Sequence, residues 1–193
     1  MMPSTRGWPL FAIVTLLAAA IDLATKQLAF TRLGMPGIGP RMVIVPGILV
    51  FETNLNEGAL FGMGQGLGLV FAGISFAALA GILAMLFRLE ARSSSWLVIA
   101  LALVAGGIIG NLYDRLGLPG LRWHAPAERF GEPVLAVRDW IHVMVPGVID
   151  WPIFNLADSW LVIGAAMLLL LSLWSPAATS DPAGGADTDP RPE

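Results

Sequence analysis

Three aspartates, Asp139, Asp150 and Asp158, stand in the otherwise apolar stretch AVRDWIHVMVPGVIDWPIFNLADSW, residues 136–160. An ionisable side chain at the edge of a membrane span is expensive to keep there and marks a candidate functional site. Two carboxylates brought close cannot both ionise cheaply, so they share a proton and can activate water between them. The competing reading makes Asp158 a helix cap, next to Asn155, and leaves the other two acids in surface turns. Nucleophilic thiols and disulfides are excluded because the chain has no cysteine. The two histidines, His124 and His142, lack partners at metal-ligand spacing, so no metal is expected.

The elements that must position these acids are apolar. Of 193 residues, 56% are hydrophobic and 13% charged, with mean hydropathy +0.74. Soluble domains carry about 25% charged residues, so this is the composition of an integral membrane protein. A net charge of -3 and a single lysine, Lys26, give no basic stripe for nucleic acid. Four apolar runs, about 8–30, 67–87, 96–112 and 153–174, are long enough to span a bilayer. The first carries an A-x-A-like site at Ala18 and Ala20, but three more spans follow, which favours an uncleaved helix.

Between the first two runs the sequence is rich in Gly and Pro, with short β-branched stretches at 42–45 and 48–53. This predicts a small β-rich subdomain at the membrane surface over about 34–66. Arg88, Glu90 and Arg92 form a polar hairpin, residues 117–134 a polar loop, and 175–193 an acidic, disordered tail. Everything up to Trp174 reads as one domain.

Four spans put both termini on one side and residues 31–66 and 115–152 on the other. Asp22, Lys26, Asn56, Asn111, Asp114, Arg115, Asp139, Asn155 and Asp158 then converge near one membrane face. Individually, each has a plain structural role. Asp22 and Lys26, at i and i+4, would end a span, Asn111 and Arg115 share a helix face, and Asn and Gly serve turns. Basic residues number four on the terminal side and seven on the loop side, which by itself places the loops in the cytoplasm. A small proton- or ion-coupled transporter fits these acids too, although transporters tend to show internal repeats, and none is evident.

In order, DLATK, NEGALFG, GNLYDRL, VRDWI and FNLADS resemble the motif series of the lipoprotein signal peptidases (signal peptidase II), four-helix aspartyl peptidases of the bacterial inner membrane. The resemblance runs from about Trp8 to Trp174. It implies that Asp158 and an upstream acid are the catalytic pair. Asp139, 19 residues before Asp158, fits the spacing better than Asp150, which is eight residues away. It further implies that Asn111, Arg115 and Asn155 hold the substrate backbone, and that Asp22, Lys26, Asn56, Gly58 and Asp114 support the site. The implied substrate is a prolipoprotein with a diacylglyceryl cysteine, cut just before that cysteine by a monomeric enzyme that is embedded in membrane lipid and requires no metal or cofactor. Inhibition by globomycin-type cyclic peptides, cytoplasmic termini and a site near the periplasmic face are also implied. One departure stands out: Asp114 and Asp139 are 25 residues apart, longer than the family's usual step, because of the loop at 117–134.

Overall fold

The computed structural model describes residues 7–58, 64, 66–88 and 94–174. The expected acidic tail, the hairpin residues Glu90 and Arg92, and the second half of NEGALFG lie outside the described residues. Four helices are long and apolar enough to cross a membrane: α1 (Gly7–Leu33), α2 (Gly68–Arg88), α3 (Ser95–Arg115) and α4 (Leu156–Trp174). Each runs close to the apolar stretch that announced it. The ends differ by a few residues, since α1 runs to Leu33 rather than 30 and α3 to Arg115 rather than 112. Lys26 and Asp114 are paired with each other inside the bundle, so the helices that carry them need not stop there.

Helix α3 is the centre of the bundle, packed against α1, α4 and α2. On α1, Phe11, Thr15, Ala18, Asp22, Lys26, Ala29 and Leu33 are buried, three and four residues apart, and so form one stripe. Small residues let the helices approach closely, the usual device where lipid supplies no hydrophobic drive between them. A Cβ on Gly106 would lie 2.6 Å from that of Ala18, and one on Gly107 would meet the Ala157 carbonyl oxygen at 2.5 Å. On Gly110 it would run into the Asp22 carboxylate. Helix α2 touches α3 but makes no comparable contact with α4, which leaves a cleft between them.

The β-rich part is a four-stranded antiparallel sheet in the order β1 (Met42–Val45), β2 (Leu49–Asn56), β3 (Val137–Val145) and β4 (Ile149–Asp150). The sequence led us to expect only its first half. The second comes from the loop after α3, where Val145-Pro146-Gly147 repeats the turn chemistry of Val45-Pro46-Gly47. Both glycines have positive φ, 74° and 73°, behind a proline, the type II arrangement. Each turn closes with a hydrogen bond, Ile48 N–H to the Val45 carbonyl at 3.0 Å and Val148 N–H to Val145 at 2.9 Å. In the central pairing, Phe51 faces Ile141 and Asn54 faces Asp139, with a register shift between them. That pairing carries Asp139 down to the ends of α3 and α4.

Candidate active site

Every polar residue picked out at the span boundaries ends up in one connected cluster. Its floor is ionic. Lys26 Nζ lies 2.8 Å from Asp22 and 3.1 Å from Asp114, all three fully buried. Asp114 also receives Arg138, from Nε at 2.8 Å and from the backbone N–H at 3.1 Å. The Arg138 guanidinium reaches Gln27 as well, at 3.1 Å. Two anions and two cations therefore close on one another, which is how charges persist away from water. Asp22 uses its other oxygen to accept the Ala157 N–H at 2.9 Å, tying the first turn of α4 to α1.

A layer of asparagines sits on this floor. Lys26 donates to Asn111 Oδ1 at 2.9 Å, and the Asn155 side-chain amide donates to the same oxygen at 3.2 Å. Asn111 then donates to Asp158 Oδ1 at 2.9 Å. Asn155 donates to Asp139 Oδ1 at 2.6 Å. Asp158 is also the N-terminal cap partner of α4. It accepts the Asn155 backbone N–H at 3.1 Å, and its own N–H donates to Asn155 Oδ1 at 3.1 Å, a reciprocal box. The cap and the carboxylate site are thus the same residues.

Asp139 is buried, with 1% of its surface exposed, and Asp158 is half-buried. Burial pushes the Asp139 carboxyl up to about 8, and the negative charge of Asp158 adds to this. Asn155, Lys26 and Asn56 pull the other way. Burial and the neighbouring Asp158 charge thus both favour the protonated form of Asp139. Asp150 belongs elsewhere. Its side chain is 79% exposed at the far end of the sheet, where it accepts from His142 at 2.7 Å. His142 also bonds Glu52, which pairs with Arg41 at 2.6 Å.

A groove of about 720 Å³ opens beside the pair, in the cleft between α2 and α4. Asp158, Asn111, Arg115, Asn54, Asn56 and Gly58 give it a polar end, and Ile108, Leu161 and Val162 an apolar flank. Asp139 stands behind this lining. Arg115 donates to the Gly58 carbonyl at 3.3 Å, and its guanidinium lies 5.4 Å from the centre of the Phe71 ring. Asn56 accepts the Gly58 N–H at 3.0 Å, a short Asx turn at the end of β2. Among the described residues no group of three metal-ligating side chains is found.

Arg138 and Gln27 were missed by the sequence reading. Arg138 is adjacent to Asp139, and strand alternation turns the two side chains to opposite faces. That alternation would have flagged Arg138, had 137–145 been recognised as a strand.

This arrangement can be set beside known proteins. A family model described as Signal peptidase (SPase) II matches residues 14–174. A lipoprotein signal peptidase of Rhodopirellula baltica is 45% identical over 175 residues, covering 88% of this chain and 74% of the relative. Another, of Shouchella clausii, is 34% identical over 158 residues, covering 82% and 89%. A bacterial membrane enzyme solved by the in meso method at 1.9 Å resolution superposes with a TM-score of 0.66 at 26% identity, over 85% of this chain and 92% of its own. A second such structure, at 2.3 Å, gives 0.68 at 24% identity, over 84% and 87%, and shows the fold alone. With the family model spanning residues 14–174 and relatives above 30% identity matched over 74% and 89% of their own length, the chain belongs to the signal peptidase II family.

Proposed function

We propose that the chain is an aspartic endopeptidase that removes the signal peptide from diacylglyceryl-modified prolipoproteins, cutting immediately before the lipidated cysteine. The observation that carries this reading is the asparagine bridge. Asn155 is bonded to both Asp139 and Asp158, which holds two carboxylates together, Asp158 at the polar end of a groove and Asp139 behind it. The apolar flank of that groove suits a signal helix and lipid chains, and its polar end suits an extended peptide.

In this mechanism the pair begins with one proton. The ionised carboxylate takes a proton from water as the water oxygen bonds to the scissile carbonyl carbon. The protonated carboxylate gives its proton to the carbonyl oxygen, so a neutral tetrahedral diol forms. Collapse breaks the C–N bond as the leaving amine takes the proton drawn from water, while a diol hydroxyl returns its proton to the other carboxylate, and the starting protonation state returns. Asn111, Asn155 and Arg115 orient the substrate backbone, and Arg115 supplies fixed positive charge near the developing oxyanion. Asp22, Lys26, Asp114, Asn56 and Gly58 keep this layer in place. We place the site near the periplasmic face with cytoplasmic termini, and expect a monomer open to blockade by globomycin-type cyclic peptides.

The test is incubation of the purified protein in detergent with a diacylglyceryl-modified prolipoprotein, with mass spectrometry of the products. A new N-terminus at the modified cysteine is expected, with no cut in the unmodified precursor. Absence of cleavage by folded protein, or a cut elsewhere, would overturn the reading.

A further inference from the structure

Residues 117–134 separate the end of α3 from β3, and the asparagine and carboxylate site is complete without them. They nevertheless form a folded hairpin. Val134 N–H donates to the Leu121 carbonyl at 3.0 Å, Trp123 N–H to Glu132 at 3.0 Å, and Gly131 N–H to Trp123 at 2.8 Å. From this hairpin one side chain reaches out. The Arg129 guanidinium lies 4.3 Å from the centre of the Trp123 ring, 3.2 Å from Glu132 and 2.9 Å from Glu57.

Glu57 is the telling partner. It sits between Asn56 and Gly58, both of which line the groove, while its own side chain turns away to the insertion. Among the described residues Arg129 is its one ion-pair partner, and Nη1 lies 2.9 Å from each carboxylate oxygen. The pair is partly shielded, with side-chain exposures of 33% and 19%. On the opposite side, Arg115 holds the Gly58 carbonyl. The Asn56–Gly58 turn is thus gripped from both sides, by Arg115 within the groove and by Arg129 from the insertion. The end of the insertion is also fixed, because Gly68 at the start of α2 comes so near that a Cβ would lie 2.6 Å from the Leu135 carbonyl oxygen.

We propose that the inserted hairpin takes part in substrate binding through Arg129, a positioning residue that clamps Glu57 and so fixes the polar end of the groove where the substrate's extended segment lies. The proposal rests on the peptidase reading. It gives Arg129 no part in bond breaking, so loss of the clamp should weaken substrate binding and leave the chemical step alone.

The experiment measures kcat and KM for lipid-modified prolipoprotein in wild type, Arg129→Gln, Arg129→Lys, Glu57→Gln, the double variant Arg129→Gln/Glu57→Gln, and Glu128→Gln, with thermal unfolding of each. Glu128 is exposed in the same hairpin and removes a charge without touching Glu57. Arg129→Gln and Glu57→Gln should each raise KM, by roughly fivefold at the upper end for a partly exposed pair, with kcat within about twofold. Arg129→Lys should recover part of the loss, the double variant should be no worse than either single one, and Glu128→Gln should match wild type. An active wild type with unchanged KM in both single variants overturns the proposal, as do single effects that multiply in the double variant or an equal defect in Glu128→Gln. An inactive but folded wild type instead removes the peptidase reading beneath it. If Arg129→Gln alone fails to fold, Glu57→Gln decides the matter.

Discussion

Asn155 and Asp158 cap each other. The Asn155 backbone N–H donates to Asp158 Oδ2 at 3.1 Å, and the Asp158 N–H donates to Asn155 Oδ1 at 3.1 Å. A capping residue and a catalytic carboxylate are usually rival explanations of an Asp at a helix start. Here the two are compatible, since the box that begins α4 also fixes Asp158 and leaves the Asn155 amide free to hold Asp139.

Asn155→Ala should therefore do two things at once. Loss of the cap should destabilise the protein by about 1–2 kcal/mol, seen as a lower unfolding midpoint in detergent. Turnover should fall much further than that stability loss explains, because Asp139 loses its amide donor. A cap-only role would lower the midpoint and spare turnover at a temperature where the variant is folded.

Lys26 is the keystone of the buried floor. Lys26→Met strips the cation from between Asp22 and Asp114, 2.8 and 3.1 Å away, and leaves them uncompensated. Breaking one side of such a network destabilises by about 3–5 kcal/mol. Thermal unfolding should show a large drop, and Asp22→Asn/Lys26→Met should recover part of it.

Gly110 leaves no room for a side chain, because a Cβ there would strike the Asp22 carboxylate. Gly110→Ala should destabilise by about 1–3 kcal/mol, the usual range for overpacking. Gly73→Ala, on the open face of α2, has nothing within 4 Å and should be neutral or slightly stabilising. Paired unfolding curves check both.

The pH dependence follows from Asp139. Its carboxyl is raised by burial and by the charge of Asp158, from 3.8 to about 8. The folded protein therefore holds a proton that the unfolded chain releases, so this group's stabilising contribution is full below pH 3.8 and is lost as pH climbs to about 8. Unfolding midpoints taken from pH 4.5 to 8.5 (roughly that window) should fall more steeply for wild type than for Asp139→Asn. Turnover should decline above about pH 8 as the shared proton leaves.

His142 titrates on the outer sheet. Burial lowers its imidazole pKa, but hydrogen bonds and charge from Asp150 and Glu52 outweigh this and raise it above 6.5. Its stabilising contribution is therefore present below pH 6.5 and lost as pH rises through the raised value. Hydrogen exchange in Ile149–Asp150 should quicken on that rise beyond the intrinsic rate, and His142→Gln should abolish the difference.

Much of this was written plainly in the chain. Apolar runs gave the four helices, and the five short motifs gave the residues that meet. What failed was local. The third span was ended at 112, before the polar run, yet Asp114 pairs with Lys26 within the bundle, so α3 continues to Arg115. Strand β3 was missed because 140–145 is apolar on both faces apart from His142, with no clean alternation, although Val145-Pro146-Gly147 repeats Val45-Pro46-Gly47. Arg138 was lost with that strand. The Arg129–Glu57 contact bridges 72 positions in sequence, and no local pattern announces it.

The measurement that bears most directly on the carboxylate pair is cleavage of lipid-modified prolipoprotein by Asp139→Asn, Asp158→Asn and Asp150→Asn, each first shown to be folded. Asp139→Asn and Asp158→Asn should lose turnover while Asp150→Asn, far out on the sheet, keeps it. Turnover surviving in folded Asp139→Asn, or vanishing in folded Asp150→Asn, would contradict the pairing of Asp139 with Asp158.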